Sequence, residues 1–158
     1  MSSASIPRQI IRQLTPVLRT MAPLVDAAVL NEDGGLPARL TLRATPEAVR
    51  RRINAPNAVY IAWDVRCHCR YVGSVCRQER TAVGTRLAEH YKHSTDGPNR
   101  RAHWALLTVL PIRSDAPLQI VRAAEGWAAR LLSPQDGTAH PYIDMAEPPA
   151  VLAASIGA

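Results

Sequence analysis

Two short strand-like runs on either side of a polar turn constrain the fold of this chain more than any other feature. Residues 60–63 are mostly apolar, residues 64–69 form the turn, and residues 70–75 are a second run with Gly73 inside it. Two such runs joined by a short turn pair as an antiparallel hairpin. The sequence therefore predicts an antiparallel sheet that contains this hairpin.

The segments after the hairpin show the periodicity of helices and of a buried strand. Residues 81–93 predict a helix with two faces, because apolar and polar side chains each recur at three- and four-residue steps. Residues 103–112 are an apolar run suited to a central strand, and residues 118–132 are typical of an amphipathic helix. Residues 94–101 between them predict a polar loop. We expect a mixed α/β chain of the α+β type.

The first 56 residues are interpreted as an N-terminal extension of helices and a short strand or hairpin. Helical spacing of apolar residues begins at Ile10, but Pro16 and Pro23 predict that the stretch is broken into short helices. Residues 38–42 alternate apolar and polar side chains as a half-buried strand does, and residues 45–52 predict a short helix. The predicted organisation is an extension at 1–56, a main domain at 57–141 and an irregular C-terminal tail at 142–158.

Charge and composition narrow the classes of partner. The formal net charge is +6, and 18 of the 19 basic residues are Arg, which suits bidentate contacts to phosphate.

No apolar stretch is long enough to span a bilayer and no N-terminal targeting signal is present, so we expect a cytoplasmic protein without a membrane partner. Seven aromatic residues and no Phe predict an aliphatic core. Three cysteines close together do not predict a secreted disulfide framework.

Four short motifs in a fixed order resemble one nuclease family. They are Ala58-Val59-Tyr60, Tyr71-Val72-Gly73, the run from Arg86 to His90, and Glu125 on the last predicted helix. Together these motifs resemble the GIY-YIG nucleases over about residues 57–141. The resemblance implies a small central three-stranded antiparallel sheet flanked by helices, with the tyrosines on the first two strands and the arginine and glutamate on helices.

The resemblance also implies a function and a set of site residues. It implies a metal-dependent endonuclease that hydrolyses DNA phosphodiester bonds with a tyrosine-activated water, RNA not being excluded as a substrate. Mg²⁺, or Mn²⁺, is expected at Glu125. Tyr60 is the expected water activator and Tyr71 a positioning donor, although the two roles are exchangeable. The catalytic set is Tyr60, Tyr71, Arg86, His90 and Glu125, and the substrate-binding set is Gly73, His93, Arg100 and Arg101.

Residue chemistry supports part of this set independently. Glu125 shares a predicted helix face with apolar residues, and a carboxylate placed against a core needs a cation or strong donors. A hard divalent ion is one solution, and an ion pair with Arg122 or Arg130 across the helix is the other. Arg86 offers a permanently charged planar fork for phosphate oxygens on its polar face.

Two other functions are compatible with the sequence. Ala58 stands where the family has glycine, the spacing from Tyr71 to Arg86 is longer than usual, and the family's asparagine is missing, with His140 a candidate in its place. These departures favour a catalytically inactive nucleic-acid-binding module. The second alternative is a zinc-stabilised interaction protein, because thiols and an imidazole lie within ten residues of one another. These potential ligands are Cys67, His68, Cys69 and Cys76.

Overall fold

A computed structural model describes residues 6–29, 41–43, 56–76, 104–135 and 142–156 of the chain. The predicted helices at 45–52 and 81–93 and the loop at 94–101 lie outside the described residues. Within the described ranges, no helix combines the length and apolar character that crossing a membrane requires. The helices are α1 (Arg8–Met21), α2 (Leu118–Leu132) and α3 (Pro149–Ser155), and the strands are β1 (Thr41–Arg43), β2 (Ala58–Trp63), β3 (Cys69–Val75) and β4 (Leu106–Pro111).

The strands form one antiparallel sheet with the order β1-β4-β2-β3. The hairpin prediction is confirmed, since β2 and β3 pair directly around a turn. The run at 103–112 supplies β4, which lies between β1 and β2 as predicted for a buried central strand. Strand β1 adds a fourth strand to the three that the resemblance implies. The α+β class is therefore confirmed.

Strand β2 is buried on both of its faces. Its residues alternate between the two sides of the sheet, and all six are buried. Val59, Ile61 and Trp63 belong to the core that the helices cover, whereas Tyr60 and its alternate neighbours lie on the opposite face. Burial on both sides explains why this strand is an almost continuous apolar run rather than an alternating one.

Helices α1 and α2 pack on the Val59 face of the sheet and against each other. Helix α2 has the bounds predicted from its periodicity, and Val121, Ala124 and Ala128 face the core. The indole Nε1 of Trp127 on α2 donates to the hydroxyl of Thr20 on α1 at 2.9 Å. The small residues of α2 allow close approach of the sheet, so the core is aliphatic as expected, with Trp63 as its largest side chain.

The prediction that Pro16 breaks the N-terminal helix is wrong. Helix α1 runs continuously from Arg8 to Met21 with Pro16 inside it. Pro16 lies on the solvent face, where water can bond the Arg12 carbonyl that the proline ring leaves without an amide donor. The opposite face buries four apolar side chains, whose burial outweighs the cost of the proline. These side chains are Ile10, Leu14, Val17 and Met21.

The N-terminal segment is joined to the rest of the molecule by packing and by hydrogen bonds. The Nε2 of Gln13 donates to the carbonyl of Cys67 in the hairpin turn at 2.7 Å. The hydroxyls of Thr41 and Thr108 are 2.9 Å apart, and Thr108 also accepts from the indole of Trp63 at 2.9 Å. Residues 6–29 and 41–43 therefore share one core and one sheet with the main predicted domain.

The C-terminal segment contains regular structure, so the prediction of an irregular tail at 142–158 is wrong. A short 3-10 turn at Ile143–Met145 precedes α3, where Pro149 occupies the first turn and Leu152 enters the core. The segment packs closely on α2 because Gly126 has no side chain. A Cβ at Gly126 would overlap the carbonyl oxygen of Tyr142.

Candidate active site

The hairpin places the two candidate tyrosines on the same face of the sheet. Tyr60 on β2 pairs with Gly73 on β3. Ala62, two residues after Tyr60, pairs with Tyr71, two residues before Gly73. Because side chains alternate along a strand, these pairings put both phenols on the face opposite Val59. Their rings are stacked, with centroids 5.9 Å apart and planes inclined by 28°. The structure thus brings Tyr60 and Tyr71 together as the motifs predict.

Gly73 makes room for the ring of Tyr60. A Cβ at this position would overlap Cζ and the hydroxyl of Tyr60 and would lie 2.8 Å from its Cε2. The group that approaches this strand glycine is therefore an aromatic side chain of the neighbouring strand. It follows that the phenol of Tyr60 extends over β3, the last strand in the described sheet order. A contact of Gly73 with substrate stays a prediction.

The two phenols differ in their access to solvent. Tyr60 is 1% exposed, whereas Tyr71 is only partly buried. Trp104, just before β4, stacks on Tyr71 with centroids 5.3 Å apart and an interplanar angle of 29°. The three rings form an aromatic row that leads from the buried Tyr60 through Tyr71 to Trp104. Tyr71 is the phenol that a bound molecule can reach more easily.

Glu125 reaches β3 from the other side of the sheet. Its side chain, 5% exposed on α2, accepts a short hydrogen bond of 2.5 Å from the hydroxyl of Ser74. Ser74 pairs with Val59, so it lies on the face opposite the tyrosines. Glu125 and Tyr60 thus approach β3 from its two faces, at the consecutive residues Ser74 and Gly73. The sheet separates the carboxylate from the two phenols, so the structure does not bring Glu125 together with Tyr60 and Tyr71 in one pocket, contrary to what the motifs predict. Sequence reasoning missed Ser74, whose only signal was its position directly after the Tyr71-Val72-Gly73 motif.

The donor atoms at Glu125 fit a hard divalent cation. The Glu125 carboxylate and the Ser74 hydroxyl are both oxygen ligands, which Mg²⁺ and Mn²⁺ prefer. Mg²⁺ is commonly held by one or two protein carboxylates and completes its shell with water and phosphate. No cluster of three or more His, Cys, Asp or Glu side chains is found in the described ranges that could hold an ion. Among the described residues, a site at this point would have the Glu125 carboxylate and the Ser74 hydroxyl as its protein ligands.

Helix α2 also carries the two arginines that the ion-pair alternative invokes. The guanidinium carbon of Arg122 lies 5.4 Å from the centroid of the Tyr142 ring, over its face. Arg130 donates to the carbonyl of Ile143 at 3.5 Å. Both side chains thus help to fix the C-terminal segment on α2.

The remaining predicted site residues lie outside the described residues. Their distances from the tyrosines and from Glu125 stay predictions, as does the substitution of His140 for the missing asparagine. They comprise the arginine and histidine of the third motif and three basic candidates for substrate binding. These residues are Arg86, His90, His93, Arg100 and Arg101.

The cysteines do not form the ligand set that the zinc alternative requires. Cys67 lies in the hairpin turn with φ of 64°, while Cys69 and Cys76 are buried in the hydrophobic core. All three are in the reduced thiol form. His68 turns towards Asp64, with its Nδ1 3.6 Å from the carboxylate. These four residues are all described, and no group of potential metal ligands includes them.

The structure also shows a cleft at the hairpin turn that sequence reasoning missed. Its volume is about 440 Å³, and we call it the turn cleft. The signal in the sequence is the recurrence of a basic residue at every second position from 66 to 70. The residues that define it are Asp64, Val65, Arg66, His68, Arg70 and Trp104, with Ala105 and Gln135 beside them.

Comparison with known proteins gives no relative from which a function could be transferred. No protein-family model matches the chain. No curated protein and no solved structure shows significant similarity to it. The relation to the GIY-YIG nucleases therefore stays a prediction, based on the motifs and on the geometry of the hairpin.

Proposed function

We propose that this protein is a divalent-metal-dependent endonuclease of the cytoplasm that hydrolyses phosphodiester bonds of DNA. The observation that carries the proposal is the arrangement around β3. Two stacked tyrosines lie on one face of the hairpin, and a buried glutamate reaches the same strand from the opposite face, at the residue next to Gly73. A net charge of +6 favours a polyanionic substrate through long-range attraction.

Tyr71 is the better candidate for activating the attacking water. Tyr60 is almost completely buried, and its ring packs directly over Gly73 of the paired strand. It is therefore better suited to hold the stacked ring of Tyr71 in position. A phenol with a reference pKa of about 10 is a weak base unless a nearby cation stabilises its phenolate. We assign that task to Arg86, whose guanidinium also stabilises the charge that develops on the phosphate.

The reaction is a direct hydrolysis without a covalent enzyme intermediate. Water attacks phosphorus, the phenolate of Tyr71 accepts the proton of the attacking water, and the P–O bond to the leaving oxygen breaks, the leaving oxygen taking a proton from solvent water. Glu125, oriented by its hydrogen bond from Ser74, would hold the divalent ion. Because Glu125 and Tyr71 lie on opposite faces of β3, the proposal requires the phosphate to bind beside the edge of that strand, which is the last in the described sheet order. When bound, such an ion supplies Lewis-acid stabilisation of the phosphate and leaving oxygen.

Cleavage of supercoiled plasmid DNA tests the proposal. The wild-type chain should convert it to nicked or linear forms in Mg²⁺ or Mn²⁺, and EDTA should stop the reaction. Glu125→Gln, Tyr71→Phe and Arg86→Ala should each lower the rate by about a hundredfold or more, because each removes a group that acts in the transition state. Tyr60→Phe should have a smaller effect because it keeps the buried ring.

Arg130→Ala is the matched control for Glu125→Gln. Arg130 lies on the same helix but is exposed, so its removal should leave cleavage within about twofold of wild type. Thermal unfolding must show that each variant is folded. Salt-sensitive DNA binding without metal-dependent cleavage would instead support the catalytically inactive module. Unchanged cleavage by a folded Glu125→Gln protein would remove Glu125 from the mechanism.

A further inference from the structure

The turn cleft lies beside the aromatic row but outside the set of residues assigned to catalysis. It is formed by the hairpin turn, by the start of β3 and by Trp104. Its volume of about 440 Å³ is within the range of about 300–1,000 Å³ that is usual for small-molecule sites. Trp104 contributes to the cleft and also stacks on Tyr71, so the indole of Trp104 lies between the cleft and the more exposed candidate tyrosine.

The charge in the turn cleft is predominantly positive. Arg66 and Arg70 are permanently charged, and His68 adds a third charge when protonated. The acidic residue, Asp64, is used within the turn: its Oδ1 accepts the backbone N–H groups of Arg66 and His68 at 2.9 Å each. Its other oxygen lies 3.6 Å from His68 and 3.9 Å from Arg70.

Arg66 is the exposed cation of this cleft. Its guanidinium has no carboxylate partner among the described residues, whereas Arg70 lies near Asp64 and donates to Gln135 at 3.1 Å. Arg66 therefore retains its full capacity for bidentate bonds to an anion. An arginine pair at the rim of a cleft suits phosphate rather than a cation or a neutral ligand.

The backbone of the turn is fixed before any ligand binds. The amide of Asp64 donates to the carbonyl of His68, and the amide of Cys67 donates to the carbonyl of Asp64, each at 3.0 Å. Gln13 of α1 holds the carbonyl of Cys67 from outside the hairpin. A preformed turn lowers the entropic cost of holding the basic side chains around a ligand.

We propose that the turn cleft binds one nucleotide of the nucleic-acid substrate, adjacent to the bond that is cut. Arg66 and Arg70 contact its phosphate, and Trp104 and the rim residue Val65, which is 85% exposed, contact its sugar and base. The identity of the ligand rests on the proposed nuclease function. Because Trp104 stacks on Tyr71, a nucleotide in the turn cleft would lie one side chain away from the proposed water activator.

Fluorescence anisotropy of a labelled twelve-residue oligothymidylate tests the inference under conditions without cleavage. Binding is measured in EDTA with the full-length Glu125→Gln chain as the reference protein. Adding Arg66→Ala should weaken binding about three- to tenfold at low salt. It should also reduce the slope of log K against log salt by about 0.7, the contribution of one phosphate contact on a single strand. Arg66→Lys should restore most of the affinity.

Arg19→Ala is the matched control, because it removes the same charge from an exposed position. Arg19 lies near the end of α1, which runs from the hairpin turn towards the other end of the sheet. It should change affinity by less than about twofold. Equal losses in Arg19→Ala and Arg66→Ala would overturn the inference, since the effect would then be one of net charge.

The test separates this inference from the proposed function. An unchanged affinity in a folded Arg66→Ala protein overturns the inference that the turn cleft binds a nucleotide, even if the wild-type chain cuts DNA. Binding that depends on Arg66 in a chain that does not cut DNA supports the turn cleft and removes the nuclease assignment. Failure of the Glu125→Gln reference protein to bind the oligonucleotide overturns the inference.

Discussion

The contact between Tyr60 and Gly73 is the single-residue feature on which the geometry of the candidate site depends. The absence of a side chain at Gly73 lets the phenol extend across β3, where it stacks beside Tyr71. A larger residue would displace the ring from a strand that is buried on both faces. Gly73 thus acts by positioning a tyrosine.

Gly73→Ala should lower the free energy of unfolding by about 1–3 kcal/mol, because the added methyl overlaps the Tyr60 ring in a packed core. The same change in a Tyr60→Ala background should be neutral or stabilising by up to about 1 kcal/mol, since alanine is favoured over glycine within a strand. Urea unfolding of the four proteins measures both values. An equal penalty in both backgrounds would show that the backbone of β3, and not the ring, excludes a side chain.

Sequence could predict the contacts of these residues only where they are local. The pairing of Tyr60 with Gly73 follows from two strand-like runs and the length of the turn between them. The bond between Ser74 and Glu125 depends on how α2 docks on the sheet, and 51 residues separate the two partners. The placement of Arg86 is likewise a matter of tertiary structure and stays a prediction.

At the scale of elements, helices α1 and α2 show what the hydrophobic periodicity of a sequence can predict and what it cannot. Helix α2 was predicted with its observed bounds because its apolar residues recur with helical periodicity and no proline interrupts them. Helix α1 was predicted to break because a local rule about proline was applied without knowledge of burial. The four apolar residues of α1 are buried in the hydrophobic core. The free energy gained by this burial is larger than the cost of about 3 kcal/mol for an interior proline.

Pro16→Ala should therefore raise the free energy of unfolding by about 1–3 kcal/mol. Alanine restores the amide donor to the Arg12 carbonyl, and the gain is reduced by the greater freedom of the unfolded chain, about 0.4–1 kcal/mol. Pro23→Ala is the control, since Pro23 lies after the end of α1 and should give no such gain. Denaturant unfolding of both variants measures the change in the free energy of unfolding. A Pro16→Ala protein that is no more stable than wild type would contradict the explanation.

At the scale of the whole molecule, the predicted boundary near residue 56 marks a change of sequence pattern but no break in the packing of the described residues. Helix α1 covers the core that β2 and α2 share, and β1 extends the sheet through β4. Long-range burial of this kind leaves no local signal, which is why sequence reasoning treated residues 1–56 as an extension. The fold class could still be predicted, because it depends on the hairpin and the strongly periodic segments.

Deleting residues 1–29 should abolish cooperative folding. It removes five side chains that are at most 2% exposed, each worth about 1.5–3 kcal/mol, against a total stability of about 5–15 kcal/mol for a typical protein. Near-UV circular dichroism and thermal unfolding of the truncated chain measure the loss. A truncated chain that unfolds with the cooperativity of the full-length protein would show that the sheet and α2 suffice.

A pair of adjacent substitutions in α1 controls for the severity of the deletion. Leu14→Ala should cost about 2–5 kcal/mol because Leu14 is buried in the core, whereas the exposed Thr15→Ala should change stability by less than about 1 kcal/mol. Similar effects of the two changes would mean that α1 stabilises the molecule by something other than its buried face.

The stacking of Trp104 on Tyr71 gives the protein an internal optical reporter. A deprotonated phenol absorbs light where an indole emits, and the two ring centroids are only 5.3 Å apart. Excitation of Trp104 would thus be transferred to Tyr71 whenever that hydroxyl loses its proton. The Trp104 contribution to the fluorescence of the unlabelled protein should therefore report the ionisation of Tyr71.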